Sequence, residues 1–233
     1  MRASGLAEPM IRALVTLDRL LPYNEYLLLQ EGLRARREEL ILVCEHPPVI
    51  TAGVKFQEAS LLSTSGDLQS AGISFVKTGR GGDATAHEPG QIVFYVHIDL
   101  KKRRIEISSF FSALLQSVQK ALAAACQIET VVRADAPGLY VAQGSQSGAK
   151  IASIGVQFKG FFTSHGMAVN FTNNLSTFAR IHPCGDSSLS VTSALQLERA
   201  DHEGLFVDLA VQELRKHFDT EAAGNSSDFS GPR

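Results

Sequence analysis

The sequence predicts an α+β domain in which a mixed sheet packs with helices. Predicted strands occur in clusters with helices between the clusters, and this order favours an α+β arrangement over a regularly alternating parallel sheet. The chain has 233 residues, which fits one large domain. No internal repeat and no linker rich in proline, glycine or serine divides it. We therefore assign residues 1–221 to a single domain and expect the small, polar residues 222–233 to form a disordered tail.

The N-terminal part predicts a strand, a helix and a second strand. Residues 13–17 have the character of a strand, and Pro22 is suited to the first turn of a helix that extends to about Arg37. The compact apolar segment 40–44, which ends shortly before two prolines, predicts a buried strand. The helix face that we expect to be buried consists of Tyr23, Tyr26, Leu27 and Leu33.

The central part predicts a strand followed by a long helix. Residues 91–100 alternate apolar side chains with a period of two, which is typical of a half-buried strand. Ser108 or Ser109 is suited to cap the helix that follows. The apolar side of the strand consists of Ile92, Phe94, Val96 and Ile98, and the buried stripe of the helix consists of Phe111, Leu114, Leu115, Val118 and Leu122.

Three further strands and one helix are predicted in the C-terminal half. The strands are residues 139–141, 150–158 and 166–171. The apolar positions of the last helix recur at helical spacing and are Phe206, Ala210, Leu214 and Phe218.

Composition and charge narrow the classes of partner and compartment. The formal net charge is −2, so no electrostatic footprint favours nucleic acid or an anionic membrane. The sequence contains no stretch of about 18 apolar residues, so no membrane-spanning helix is predicted. The chain has three cysteines, Cys44, Cys126 and Cys184. A small and odd number argues against a disulfide framework and indicates a reducing compartment. We expect a monomeric cytoplasmic protein without metal or cofactor.

A glycine-rich stretch, residues 78–91, precedes the central strand and differs from ordinary scaffold. Its glycines allow backbone amides to approach a ligand closely. Arg80 adds a fixed positive charge, and His87 adds a donor or acceptor. A glycine-rich turn without a ligand explains the pattern equally well.

Cys184 is the cysteine that stands out as chemically available. It lies between Pro183 and Gly185, in a segment unsuited to a strand or helix interior, whereas Cys44 and Cys126 lie in apolar segments typical of buried cysteines. A thiol must ionise to react, and this requires a nearby cation, base or helix N-terminus. Lys150, at the start of an apolar strand, becomes of interest only if it supplies that charge.

Metal binding and cysteine-protease chemistry are the rival uses of these side chains. His87, His165 and His182 could converge with Cys184 on zinc, but the sequence has no Cys-x-x-Cys and no histidine pair at helical spacing. A protease would need His165 or His87 as its base, and no protease signature surrounds Cys184.

Five segments, in this order and spacing, resemble the lipoyl(octanoyl) transferase family, the octanoyltransferases of lipoate biosynthesis. The resemblance covers nearly the whole chain, from about residue 13 to about residue 218. The segments are Glu45-His-Pro-Pro-Val-Ile-Thr-Ala-Gly53, Arg80-Gly-Gly-Asp-Ala-Thr-Ala-His-Glu-Pro-Gly-Gln91, Lys150-Ile-Ala-Ser-Ile-Gly155, Ser164-His-Gly-Met-Ala-Val-Asn170 and Pro183-Cys-Gly185.

The resemblance implies the fold of the biotin and lipoate protein ligases and a two-step acyl transfer. The octanoyl group would pass from octanoyl-acyl carrier protein to a lysine of lipoyl domains, in 2-oxoacid dehydrogenase complexes and in the H protein of glycine cleavage. Cys184 would carry the acyl group as a thioester, Lys150 would promote its ionisation, and His165 would support the site. The residues implied to line the acyl substrate are Arg80, Gly81, Gly82, Asp83, Ala84, Thr85, Ala86, His87, Ser153, Ile154, Gly155, Gly166, Met167 and Ala168.

The sequence departs from the family pattern at two positions. The usual loop is Thr-Tyr-His-Gly-Pro-Gly-Gln, and this chain has Ala86 in place of the tyrosine and Glu88 in place of the glycine. These changes could reshape the acyl pocket or the approach of the acceptor. Two other functions remain open: an ATP-dependent lipoate or biotin ligase of the same fold, and a non-catalytic acyl-binding module.

Overall fold

The computed structural model describes residues 10–219, which form two sheets and four helices. The predicted tail, residues 222–233, lies outside the described residues. The strands are β1 (Arg12–Leu20), β2 (Leu40–Glu45), β3 (Val49–Ala52), β4 (Ser74–Lys77), β5 (Ala84–His87), β6 (Gln91–His97), β7 (Thr130–Val132), β8 (Gly138–Val141), β9 (Lys150–Lys159) and β10 (Phe162–Asn170). The helices are α1 (Tyr23–Arg36), α2 (Ser65–Ser70), α3 (Ile107–Cys126) and α4 (Glu203–Phe218).

The larger sheet has seven strands in the order β1-β2-β6-β10-β9-β8-β7. Only β1 and β2 pair in parallel, and the other neighbours are antiparallel. The smaller sheet has the order β4-β3-β5. The predicted mixed α+β architecture is therefore confirmed.

Both faces of the larger sheet are covered. On one face, α3 and α4 pack against the even-numbered side chains of β6, among them Phe94. On the other face, α1 packs Tyr26 against Val93 and Tyr95. The prediction of a half-buried strand over residues 91–100 was wrong in this respect, because α1 buries the second face and every residue of β6 is buried.

Most predicted elements are present with shifted ends. The helix expected to be capped by Ser108 or Ser109 begins at Ile107, and Glu106 precedes it without a side-chain cap, so the capping prediction was wrong. The strand expected at 166–171 already begins at Phe162 and pairs with β9 across a tight turn. The apolar stripe of α4 is buried as predicted.

The smaller sheet was not predicted, and it places the glycine-rich stretch against the larger one. Residues 84–87 of the glycine-rich stretch form β5, which pairs antiparallel with β3. The amide of Gly81 donates to the carbonyl of Val156 in β9 at 3.0 Å. This bond joins the glycine-rich loop to the larger sheet along one wall of a cleft.

Candidate active site

Cys184 lies at the tip of a tight turn, residues 183–185. Its backbone is left-handed, with φ 59° and ψ 17°, which is uncommon for a residue other than glycine and is often found at functional sites. The amide of Gly185 donates to the carbonyl of His182 at 3.0 Å and closes the turn. The thiol is exposed, whereas Cys44 and Cys126 are buried as predicted.

Backbone hydrogen bonds fix the chain on both sides of this turn. Before the turn, the amide of His182 donates to the carbonyl of Ser60 at 2.8 Å. After it, the amide of Lys150 donates to the carbonyl of Ser190 at 2.8 Å, and the amide of Thr192 donates to the carbonyl of Lys150 at 3.0 Å. The chain that follows Cys184 is therefore attached directly to the first residue of β9.

Lys150 and Cys184 are in contact, although they are 34 positions apart in the sequence. The Nζ atom of Lys150 donates a hydrogen bond to Cys184 Sγ over 3.3 Å. The lysine is 2% exposed. A buried lysine nitrogen therefore lies directly beside the exposed sulfur.

Arg80 supplies a second positive charge near the thiol. Its Nε donates to Thr51 Oγ1 at 3.0 Å, and one terminal nitrogen donates to the carbonyl of Gly81 at 3.0 Å. Burial lowers the pKa of the Arg80 guanidinium, while the negative charges of ionised Tyr23 and Cys184 act in the opposite direction. Since arginine stays protonated in proteins, Arg80 acts on Cys184 as a fixed cation.

The carboxylate of Asp83 lies against the cysteine turn at Gly185. It accepts hydrogen bonds from Ser60 Oγ at 2.6 Å and from the amides of Gln57 and Ala84 at 3.2 and 2.7 Å. A Cβ on Gly185 would lie 2.6 Å from Asp83 Oδ2, and Gly185 has φ +76°. Only glycine therefore lets the turn approach the carboxylate this closely.

A cleft of about 490 Å³, including its open mouth, extends from Cys184 between the glycine-rich loop and β9 and β10. The lining is polar near Arg80 and apolar at Val93, Ile154 and Met167. The full lining consists of Arg80, Gly81, Gly82, Asp83, Ala84, Thr85, His87, Val93, Tyr95, Ser153, Ile154, Gly155, His165, Gly166, Met167, Ala168 and Cys184.

The structure thus brings the predicted site residues together: all of them line the cleft except Lys150, which reaches it through its contact with Cys184, and Ala86. Ala86 is absent from the lining and packs with Ile50 and Phe178, because side chains alternate along β5. The expectation that Ala86 lines the cleft is therefore corrected. Glu88 is also outside the lining: it is 3% exposed and accepts hydrogen bonds from Asn173 Nδ2 at 3.0 Å and from the amide of Thr177 at 2.8 Å.

A buried layer of aromatic side chains, which we call the Tyr–His layer, adjoins the cleft and contributes His87, Tyr95 and His165 to its lining. It consists of Tyr23, Tyr26, His46, His87, Tyr95, His97 and His165. His46 Nδ1 lies 2.5 Å from the carbonyl of Leu21, which can only accept, so His46 Nε2 accepts from the Tyr95 hydroxyl at 2.7 Å. The side-chain nitrogen of Gln91 donates to Ala86 and Asn170, so Gln91 Oε1 is oriented as an acceptor. His87 Nδ1 therefore donates to Gln91 Oε1 at 2.6 Å, and His87 Nε2 is left as an acceptor.

Burial keeps the imidazoles of this layer neutral. Desolvation lowers the pKa of His46 to about 4 and the pKa of His97 to about 4. Desolvation, with the charge of Arg80 acting in the same direction, lowers the pKa of His165 to about 3. The predicted supporting residue His165 is therefore a neutral group that lines the cleft, and its Nε2 has no hydrogen-bond partner among the described residues.

We expect the Tyr–His layer to make the protein sensitive to acid. A histidine whose pKa is depressed in the folded state binds its proton at a higher pH in the unfolded chain than in the folded chain. The unfolded chain is therefore favoured as the pH falls from about 6.5 towards about 4. At pH 5 the depressed pKa of each of His46, His97 and His165 lowers the free energy of unfolding by on the order of 2 kcal/mol relative to neutral pH. The free energy of unfolding, measured with urea at pH 7.5 and pH 5, should fall by several kcal/mol.

The variant His97→Leu should reduce this acid sensitivity. Desolvation lowers the pKa of His97 and a backbone contact with Thr163 opposes it, so leucine removes a fully buried proton-binding group. The loss between the two pH values should shrink by about 2 kcal/mol. An unchanged difference would show that His97 does not contribute to the acid sensitivity.

Two features near the cysteine were not singled out in the sequence. Asp83 lines the cleft as predicted, and it also accepts a hydrogen bond from Ser60, whose carbonyl accepts the amide of His182 just before the turn of Cys184. Tyr140, in β8, lies with its ring 5.4 Å from Lys150 Nζ. The segment 133–140 carried no motif, and only the pairing of β8 with β9 brings Tyr140 to this position.

The described residues also bear on the rival uses of the chain. Within residues 10–219, no three histidine, cysteine, aspartate or glutamate side chains lie close enough together to hold a metal ion. No helix in this part of the chain has the length and apolar character needed to cross a membrane.

Comparisons with known proteins agree on one family. A family model described as the lipoyl protein ligase A/B catalytic domain matches residues 21–218. An octanoyltransferase from Leptospira interrogans is 46% identical over 177 residues, 76% of this chain and 81% of the relative. An octanoyltransferase from Leptospira borgpetersenii is 42% identical over 212 residues, 91% of this chain and 92% of the relative.

A solved structure shows that the fold is shared. It contains a bipartite lipoate protein ligase and its E2 lipoyl domain from Thermoplasma acidophilum. The match covers 90% of this chain and 84% of the chain in that structure, with a TM-score of 0.67 and 14% sequence identity. At this identity the likeness concerns the fold alone.

Proposed function

The chain belongs to the lipoyl protein ligase A/B catalytic domain family, and we propose that it is an octanoyltransferase that carries its acyl group on Cys184. Relatives named octanoyltransferase match most of the chain and support octanoyl transfer in protein lipoylation. The observation that carries the cysteine route is the contact of 3.3 Å between Lys150 Nζ and Cys184 Sγ.

In the first step, the Cys184 thiolate attacks the carbonyl carbon of an octanoyl thioester. A bond forms between Sγ and the acyl carbon, and the bond to the donor sulfur breaks. The Lys150 ammonium gives its proton to the departing thiolate and becomes a neutral amine. One thioester replaces another, so the step needs no ATP, and cysteine is suited to it as both nucleophile and leaving group.

In the second step, the amine of an acceptor lysine attacks the Cys184 thioester. An amide bond forms, the bond to Sγ breaks, and neutral Lys150 accepts the proton that the amine loses. This restores the ammonium beside the thiolate. Arg80 and Lys150 keep the sulfur anionic as it leaves.

The donor that we propose is octanoyl-acyl carrier protein, and the acceptors are lipoyl domains. Lipoyl-domain acceptors follow from the family, and we extend them to 2-oxoacid dehydrogenase complexes and to the H protein of glycine cleavage. The open mouth of the cleft at Cys184 suits two protein substrates that bind in turn. We place the reaction in the cytoplasm, because free thiols suit a reducing compartment, and we expect a monomer.

Octanoyl transfer from octanoyl-acyl carrier protein to a purified lipoyl domain, without ATP, tests this function. We expect one octanoyl group on the acceptor lysine, detected by intact-mass spectrometry. A parallel reaction with free octanoate and Mg-ATP separates this activity from that of a ligase. Modification only in the reaction with ATP would identify a ligase, and modification in neither would leave a non-catalytic acyl-binding module.

A further inference from the structure

Lys150 is a buried cation without a carboxylate partner. It is 2% exposed, and within residues 10–219 its Nζ makes no ion pair and has Cys184 Sγ as its hydrogen-bond partner. A buried ammonium needs compensation for its lost hydration. An exposed thiol supplies only part of it, because it bears a negative charge only in its ionised form.

The aromatic ring of Tyr140 is the group that can supply the rest. Lys150 Nζ lies 5.4 Å from the ring centroid, within the range of a cation–π interaction. The guanidinium carbon of Arg133 lies 5.0 Å from the same centroid. The ring is 0% exposed, so its attraction for the ammonium is not weakened by water.

Backbone pairing and packing fix the ring and the lysine relative to each other. A register shift between Leu139 and Tyr140 places Tyr140 opposite Lys150. The Tyr140 hydroxyl donates to the carbonyl of Ala136 at 2.7 Å, which holds the ring in place. A Cβ on Gly138 would lie 2.4 Å from Lys150 Cε, so the glycine leaves room for the lysine side chain.

An aromatic ring suits this position better than a carboxylate does. A carboxylate would hold the ammonium more strongly, but its negative charge would oppose ionisation of the nearby thiol. The ring stabilises the ammonium through its quadrupole and carries no net charge. It therefore leaves the full charge of Lys150 available to Cys184.

We propose that Tyr140 is a positioning residue, which stabilises the Lys150 ammonium against its ring and directs it at Cys184. This inference rests on the proposed pairing of Lys150 with Cys184. It adds a residue of β8 to the machinery of octanoyl transfer, one that acts through Lys150 and does not touch the acyl group.

The test is the pH profile of Cys184 alkylation by iodoacetamide, followed on the Cys184 peptide by mass spectrometry. Tyr140→Leu removes the ring and should move the midpoint of the profile upward by about one pH unit. Tyr140→Phe keeps the ring and should restore the midpoint towards that of the wild type. Because alkylation needs no acyl substrate, the result does not depend on an octanoyl transfer assay.

Controls separate an electrostatic role from a packing role. Phe110→Leu removes another fully buried aromatic ring, which packs against Phe158 and Phe218, and should lower the melting temperature without moving the midpoint. Incorporating 3,4,5-trifluorophenylalanine at position 140 keeps the ring shape, weakens its quadrupole and should move the midpoint as leucine does. This variant decides the matter if Tyr140→Leu fails to fold.

The outcomes also distinguish this inference from the proposed function. If Lys150→Met moves the midpoint but the leucine and trifluorophenylalanine variants do not, Tyr140 has only a packing role and the inference is overturned. If Lys150→Met leaves the midpoint unchanged, the proposed pairing of Lys150 with Cys184 itself fails.

Discussion

Replacing Cys184 with alanine is expected to abolish octanoyl transfer, with a loss of roughly 10³-fold or more in rate. Cys184 is the exposed cysteine among the described residues, and the adjacent ammonium of Lys150 favours its reactive form. Wild-type protein incubated with octanoyl-acyl carrier protein, but no acceptor, should gain the mass of one octanoyl group. Cys184→Ala should gain none. An octanoyl adduct that persists on the alanine variant would place the nucleophile elsewhere.

Cys44 provides a matched control for this experiment. Its thiol is fully buried, and desolvation raises its pKa far above the usual range, so it remains an unreactive thiol at neutral pH. Cys44→Ala should therefore form the same adduct as the wild type. Cys184→Ser, in contrast, should accumulate little adduct, since a hydroxyl ionises much less readily than a thiol beside the same lysine.

The sequence singled out Cys184 by its own setting, whereas the pairing with Lys150 came from the family resemblance. Pro183 and Gly185 mark a turn that cannot bury Cys184, and Lys150 interrupts the start of an apolar strand. Neither residue reveals the other, because they are 34 positions apart and meet only through the pairing of residues 190–192 with β9. The family resemblance supplied that connection, and the geometry of the site agrees with it.

Short strands and both faces of the central strand were harder to predict. The strands β3 and β5 have four residues each, too few for a clear period of two. On β6, Tyr95 and His97 have polar atoms that suggested an exposed face, yet α1 and the Tyr–His layer bury them. Burial of this kind depends on tertiary contacts that a local pattern does not contain.

The role proposed for Tyr140 depends on a register that is not encoded in a motif. Without the shift between Leu139 and Tyr140, the position opposite Lys150 would belong to another residue. A single-residue slip along a strand turns each side chain to the other face. A contact of this kind is therefore visible only in the folded chain.

Replacing Lys150 with methionine is expected to slow both steps of octanoyl transfer, by roughly 10²- to 10⁴-fold. Methionine approximates the volume of the buried side chain and removes its charge. A unit charge about 4 Å away is worth about 4 kcal/mol at an effective dielectric of ~20, and less where the thiol meets solvent. Alkylation of Cys184 at neutral pH should slow in parallel. Lys159→Met, at the exposed end of the same strand, is the matched control and should retain wild-type rates.

Arginine at position 150 separates the electrostatic role of the lysine from its role in proton transfer. A guanidinium keeps the positive charge but does not lose its proton in proteins, so it cannot act as the base for the incoming amine. The donor's thiolate can leave as an anion and take its proton from water, so Lys150→Arg should still form the octanoyl adduct on Cys184. It should pass the group slowly to the lipoyl domain, so that the adduct accumulates while acceptor is present. Rapid turnover by the arginine variant would show that another group accepts the proton. Failure to form the adduct, with the fold intact, would show that the shape of the lysine matters more than its charge.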